Sequence, residues 1–183
     1  MPPAGAVVLA TASELSAAVA AICAGAGLID LWNASQETAA AVRARYPGVL
    51  ACARADWADL VRDRAIALRT GAILICGDPT DAARAEVSGI SRDAILVEAP
   101  PALAAGLMAA GWQVVVDADE MAGPHAAAEM AGPHAAAAVG AIACWLGAAA
   151  VRTSHVAAVR RAIDMTASIR GTRPLPDDCY VRP

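Results

Sequence analysis

Gly71-Ala72-Ile73-Leu74-Ile75-Cys76-Gly77-Asp78-Pro79 is the stretch on which the reading of the fold turns. Five apolar residues, two of them β-branched, stand between glycines, and an Asp-Pro pair suited to a helix start follows. The same unit recurs downstream. Asp93 to Glu98 reads as a strand, and Pro100-Pro101 then opens an alanine-rich helix ending at Gly111. Val114-Val115-Val116-Asp117 is a further strand. Such unbroken apolar strands are those of a sheet buried on both faces, and strands alternating with helices imply parallel pairing through right-handed crossovers.

Working outward, Val7-Val8-Leu9 reads as the first strand, with Thr11 or Ser13 capping the helix after it. Leu28 to Trp32 and Val49 to Ala53 are strands flanking a helix capped by Ser35, and Asp56 is expected to cap a helix running to Arg69. Near the end, Ala148 to Arg152 is a short strand and Val156 to Ile169 an amphipathic helix. Seven strands in all predict an α/β fold of parallel βα repeats. It closes as a reduced TIM-type barrel or lies open as a doubly wound sheet. A (β/α)₈ barrel takes about 250 residues, so a chain of 183 is expected to run on minimal loops and to lack a strand. Residues 1–170 form one domain in this reading, and 171–183 a Pro-rich extended tail.

Composition excludes several functions. The formal charge of −4 argues against nucleic acid as a partner, which would call for a basic surface. Every basic residue is Arg, so no step through a lysine ammonium or Schiff base is available. The five cysteines form no CxxC pair, as expected of reduced thiols in the cytoplasm. The N-terminus has no basic stretch of the signal-peptide kind. The apolar run Ala135 to Val151 falls short of the about 20 residues of a membrane span.

Residues 120–137 hold the nine-residue sequence Glu-Met-Ala-Gly-Pro-His-Ala-Ala-Ala twice. Each Gly-Pro interrupts helix, so two short turns starting at Pro124 and Pro133 are expected. His125 and His134 have no complementary ligands nearby in sequence, and no metal site is assigned to them. Ala24-Gly25-Ala26-Gly27 precedes a strand instead of following one, which is the wrong context for a dinucleotide-binding fingerprint. Ser154-His155 lacks a nucleophile elbow.

Gly147-Ala148-Ala149-Ala150-Val151-Arg152-Thr153-Ser154-His155-Val156, followed by Ala162-Ile163-Asp164-Met165, resembles the end of the dihydropteroate synthases, where a Gly-Ala pair leads into a last strand reading Val-Arg-Val-His-Asp-Val. Ala24 to Asp30 looks like that family's Ala-Gly-Ala-Asp-Ile-Ile-Asp before its second strand. Thr70 to Ile75 resembles the lead-in to its fourth strand and Val114 to Asp117 its sixth. The resemblance implies a barrel that holds a pterin at the C-terminal strand ends and condenses dihydropterin pyrophosphate with p-aminobenzoate in folate biosynthesis. It also implies a homodimer, with Mg²⁺ admitted as a cofactor although nothing in the residues demands one.

Carried over residue by residue, the resemblance makes Asp30, Asp56 and Asp117 the pterin ligands and Arg152 and His155 the catalytic pair. The departures count against catalysis. The family's fourth-strand Asn falls on Cys76, its seventh-strand Ser-Arg-Lys is missing, and its last-strand His position holds Ser154. Strand alternation would turn His155 to the other face. A degenerate paralogue serving as a binding or dimerisation partner is therefore the alternative reading.

Overall fold

The computed structural model describes residues 6–119 and 131–172. The strands are β1 (Val7–Thr11), β2 (Leu28–Asp30), β3 (Leu50–Cys52), β4 (Leu60–Val61), β5 (Ile73–Cys76), β6 (Ile95–Ala99), β7 (Gln113–Asp117) and β8 (Ala150–Arg152). The helices are α1 (Leu15–Cys23), α2 (Gln36–Arg45), α3 (Arg64–Thr70), α4 (Pro79–Val87), α5 (Pro101–Ala109), α6 (Ala131–Leu146) and α7 (Val156–Ile169). All eight strands pair in parallel with their sequence neighbours, and β8 returns to β1, closing a barrel. The closed barrel is the architecture expected, without the open-sheet alternative.

The strand count is corrected from seven to eight. Asp56 caps no helix. The chain from Asp56 instead passes into β4, and α3 starts only after Asp63, whose carboxylate accepts from Ala65 N–H at 2.7 Å and Ile66 N–H at 3.2 Å. A two-residue strand leaves no period-two signal, and its flanks, Trp57-Ala58-Asp59 and Arg62-Asp63, read equally well as helix. Glu14, not Thr11 or Ser13, is the N-cap residue of α1, and it makes no side-chain capping bond. The Ser35 and Asp78 caps are present: Ser35 Oγ accepts from Thr38 N–H, and Asp78 from Thr80 and Asp81 N–H. Of the tandem repeat, Pro133 lies within the first turn of α6. Pro124 and His125, like the tail from residue 173, lie outside the described residues.

Alternation along each strand builds two cores. One set faces the helices: Val8, Ala10, Ile29, Ala51, Val61, Leu74, Cys76, Ile95, Val97, Val114, Val116 and Val151. The other fills the lumen: Val7, Leu9, Leu28, Cys52, Leu60, Ile75, Leu96, Val115 and Ala150, with Leu50 and Ile73 packed against them. The register keeps inward residues beside inward residues around the ring, as in Leu28↔Leu50, Cys52↔Leu60, Leu60↔Ile73 and Val115↔Ala150. Lumen side chains of such a barrel stack in layers of four drawn from alternate strands. Leu9, Cys52, Ile75 and Val115 come from the odd strands, and Leu28, Leu60, Leu96 and Ala150 from the even ones.

Outside, α6 and α7 approach closely because Gly140 faces Val159; a Cβ built at Gly140 would lie 2.8 Å from Val159 Cγ1. Gly140→Ala is expected to destabilise the protein by about 1–3 kcal/mol through overpacking. Gly106→Ala, in α5 with nothing within 4 Å of the new methyl, is expected to stabilise by about 0.5–1 kcal/mol through helix propensity. Urea unfolding of the two variants checks this; equal midpoints would contradict the close helix contact.

Candidate functional site at the C-terminal mouth

Two residues above the even-strand apolar layer, on the same lumen face, come Asp30, Arg62, Glu98 and Arg152. They follow Leu28, Leu60, Leu96 and Ala150. One more layer of four is therefore formed, and all of it is charged. Signs alternate around the axis, and each group touches its neighbours. Arg62 Nη2 donates to Asp30 Oδ2 at 2.7 Å and to Glu98 Oε1 at 2.7 Å, and its Nη1 donates to Glu98 Oε2 at 3.1 Å. Arg152 Nη2 lies 3.3 Å from Asp30 Oδ2 and bonds Glu98 Oε1. The Asp30 side chain is 5% exposed and the other three are about one-fifth exposed. Charges this far from water are held only by complete mutual pairing. Burial opposes the charge on Arg62, but hydrogen bonds to Glu98 and Asp30 outweigh it and hold its pKa above the ordinary value.

The thiols beneath and beside this layer are inert. Burial first, then the Asp30 carboxylate, pushes Cys52 up to about 12. Cys76 is pushed up to about 11, mainly by burial and then by Asp81 and Asp78. A thiol so raised stays protonated at neutral pH and is no nucleophile. All four described cysteines are free.

Open space lies beside the axis. A cleft of about 740 Å³ runs from β1 and α1 to the β8–α7 turn. It is lined by Thr11, Asp117, Arg152, Thr153, His155 and Arg161, among others. A smaller one of about 290 Å³ is lined by Gly77, Glu98, Pro100, Asp117 and Arg152. Asp117 and Arg152 line both and are register partners across β7 and β8. Asp119 ties the end of β7 to the β8–α7 turn, accepting from Thr153 Oγ1 at 2.8 Å and Ser154 N–H at 2.6 Å. Arg152 Nε is buried and finds no acceptor, the one such side-chain atom among the described residues.

Four of the five residues singled out in the sequence thus gather at the mouth: Asp30 in the charged layer, Arg152 in that layer and both clefts, and Asp117 and His155 at the clefts. His155 is not turned away, because the strand ends at Arg152 and His155 occupies the N-cap position of α7, where alternation no longer applies. Asp56 stands apart. Its exposed carboxylate pairs with Arg69 at 2.6 Å and lines a separate groove with Arg54 and Trp57. Cys76 ends the fifth strand and faces the helices, outside the lumen. With β4 counted, Asp117 ends the seventh strand and Glu98 lies on the sixth. Glu98, Arg62 and Asp119 were missed. Glu98 was visible as a charge two places after Leu96 in an otherwise apolar strand, whereas Arg62 was hidden with its strand. Among the described residues no three His, Cys, Asp or Glu side chains converge on a metal position. The two layer carboxylates are already taken by arginines, so the charged layer does not fit Mg²⁺. No helix among them is long and apolar enough to cross a membrane.

No family model and no curated protein sequence matches the chain. Solved structures do. Rv1207 of Mycobacterium tuberculosis superposes with TM-score 0.73 at 22% identity over 94% of each chain. The Yersinia pestis dihydropteroate synthase does so with TM-score 0.74 at 17% identity over 91% of this chain and 93% of that one. The dihydropteroate synthase of Thermus thermophilus gives 0.68 at 18% over 92% and 95%. Likeness at such identities is likeness of fold: the chain has the barrel of the dihydropteroate synthases.

Glu98→Gln removes one of two carboxylates facing two guanidinium groups. It is expected to lower stability by about 3 kcal/mol, as breaking a largely buried ion network does. An unchanged urea midpoint would show that the layer contributes nothing.

Proposed function

We propose that this chain is a dihydropteroate synthase-like protein of the folate pathway, cytoplasmic and non-condensing, that binds a pterin-type heterocycle at the C-terminal mouth beside the barrel axis. The observation that carries the reading is the Arg152 Nε–H, buried without an acceptor between two clefts that share Asp117. An orphaned buried donor is costly, and a ring nitrogen or carbonyl of a bound heterocycle would satisfy it. Asp117 would take the ring's amino and N–H donors. The barrel likeness supports the ligand class, since the Anaplasma phagocytophilum neighbour was solved with 6-hydroxymethylpterin-monophosphate.

Condensation is left out for two reasons. The two arginines of the charged layer, Arg62 and Arg152, are paired with Asp30 and Glu98, which leaves the layer without net positive charge for a departing pyrophosphate. The chain also has no Lys.

Calorimetric titration with 6-hydroxymethylpterin is expected to show binding, weakened about tenfold or more by Asp117→Ala, the loss of a charge-assisted hydrogen bond. No heat and no thermal shift would end the pterin reading. Formation of dihydropteroate from dihydropterin pyrophosphate and p-aminobenzoate would overturn the non-condensing part and restore the enzyme reading, with Arg152 and His155 as its catalytic pair.

A homodimer completes the proposal. Leu103 on α5, Ile142, Trp145 and Leu146 on α6, and Met165 and Ile169 on α7 are large apolar side chains between 49% and 69% exposed, and α5 and α6 carry no charged residue among those described. A face of this kind is more apolar than a monomer usually shows. Light scattering after gel filtration is expected to give twice the 18.4 kDa chain mass, and Trp145→Asp the single mass. A wild-type monomer would refute it.

A further inference from the structure

The geometry points to an oxyanion-binding cleft between the ends of β4 and β5, formed by Arg64 and Arg84 with Arg62 at its inner edge, that takes a phosphate or carboxylate group. The cleft has a volume of about 350 Å³ and brings those three arginines together against one carboxylate, Asp81. Arg62 is neutralised within the charged layer and Arg84 pairs with Asp81, so the positive charge left over in the cleft is that of Arg64; on a chain of formal charge −4 a concave site concentrates that field and draws anions.

Two of the three arginines have partners in the fold. Arg62 belongs to the charged layer and has its partners there. Arg84 is in the last turn of α4, favourable to that helix, and forms an exposed pair with Asp81 at 3.2 Å, a contact worth little in water. Arg64 has no such account. It is exposed at the first position of α3, the end of a helix where a cation is unfavourable. Among the described residues its guanidinium has neither an ion pair nor a hydrogen bond. Its field reaches the Cys76 thiol on the cleft floor, where the Asp81 and Asp78 carboxylates act more strongly in the opposite sense. A cation that the fold does not use, facing a second across a pocket, presents the forked donors that match a tetrahedral or planar oxyanion.

The cleft is not isolated. Gly77 lines both it and the smaller mouth cleft, which Asp117 and Arg152 join to the larger one. An anion here would lie at one end of a track leading across the mouth. Its test is kept apart from the pterin reading by acting on Arg64 and Arg84, neither of which lines the two clefts that Asp117 and Arg152 share.

Isothermal titration at low ionic strength with inorganic pyrophosphate and, separately, with p-aminobenzoate tests it; the ligand that binds distinguishes a phosphate from a carboxylate source. At least one is expected to bind at millimolar concentration or below. Arg64→Ala and Arg84→Ala should each weaken it about tenfold, and Asp81→Asn should strengthen it, a change that damage to the fold would not produce. Arg45→Ala, on α2 and stacked over Tyr46, should leave it unaltered. Binding of neither ligand, or binding equally sensitive to Arg45→Ala, would overturn the site.

Discussion

A closed barrel of parallel strands must end its lumen somewhere, and here it ends in a ring of two arginines and two carboxylates. The ring sits on stacked apolar layers, so none of its members can be solvated on the lumen side. Each charge is tolerable only because both its neighbours oppose it. Taken singly, Asp30 and Arg62 would each be costly to bury; taken together they form a neutral, mutually hydrogen-bonded plate. The strand order enforces the alternation. Consecutive even strands β2, β4, β6 and β8 supply Asp, Arg, Glu and Arg at the same height, so no like charges become adjacent.

That plate decides where ligands can go. A barrel with an open mouth offers its axis as the floor of the site, built up by loops at the strand ends. Here the axis is occupied by guanidinium–carboxylate pairs, and the free volume lies to the sides, at β1–β8–α7 and between β6 and β7. Arg152 links the two regimes. Its Nη2 belongs to the plate, while its Nε has no acceptor in the protein. A ligand reaching Nε would approach from the side and leave the plate undisturbed. Fold likeness alone says nothing about chemistry; it is this displacement of space from axis to flank that argues for binding without condensation.

The parallel βα order was legible because Ile73–Cys76 and Val114–Asp117 are long enough to show apolar continuity, with Asp-Pro and Gly marking the helix boundaries. β4 was not, since Leu60 and Val61 offer one inward and one outward residue and nothing more. Missing it displaced every later ordinal. Asp117 ends the seventh strand, not a sixth, and the fourth strand leads into Arg62, while Cys76 ends the fifth. The site suffered the same way: Asp30, Asp117, Arg152 and His155 were found through local resemblance, but the ring was invisible because one of its four members stood in an unrecognised strand. His155 was misoriented by extending a strand rule past Arg152, where the chain had already turned into α7.

The shortness of β4 also shows how little strand a barrel needs. One lumen residue in the apolar layer and one in the charged layer suffice, because the neighbours β3 and β5 carry the remaining layers. Leu60 supplies the first and Arg62 the second, although Arg62 lies one residue beyond the last paired position. Two ion-paired carboxylates then hold the Arg62 side chain where backbone pairing no longer does. The ring is therefore both a cover for the lumen and the clasp that completes its shortest stave. Any change that opened the axis to a ligand would also loosen β4. With the axis shut by the ring, the free volume of the mouth lies on the flanks.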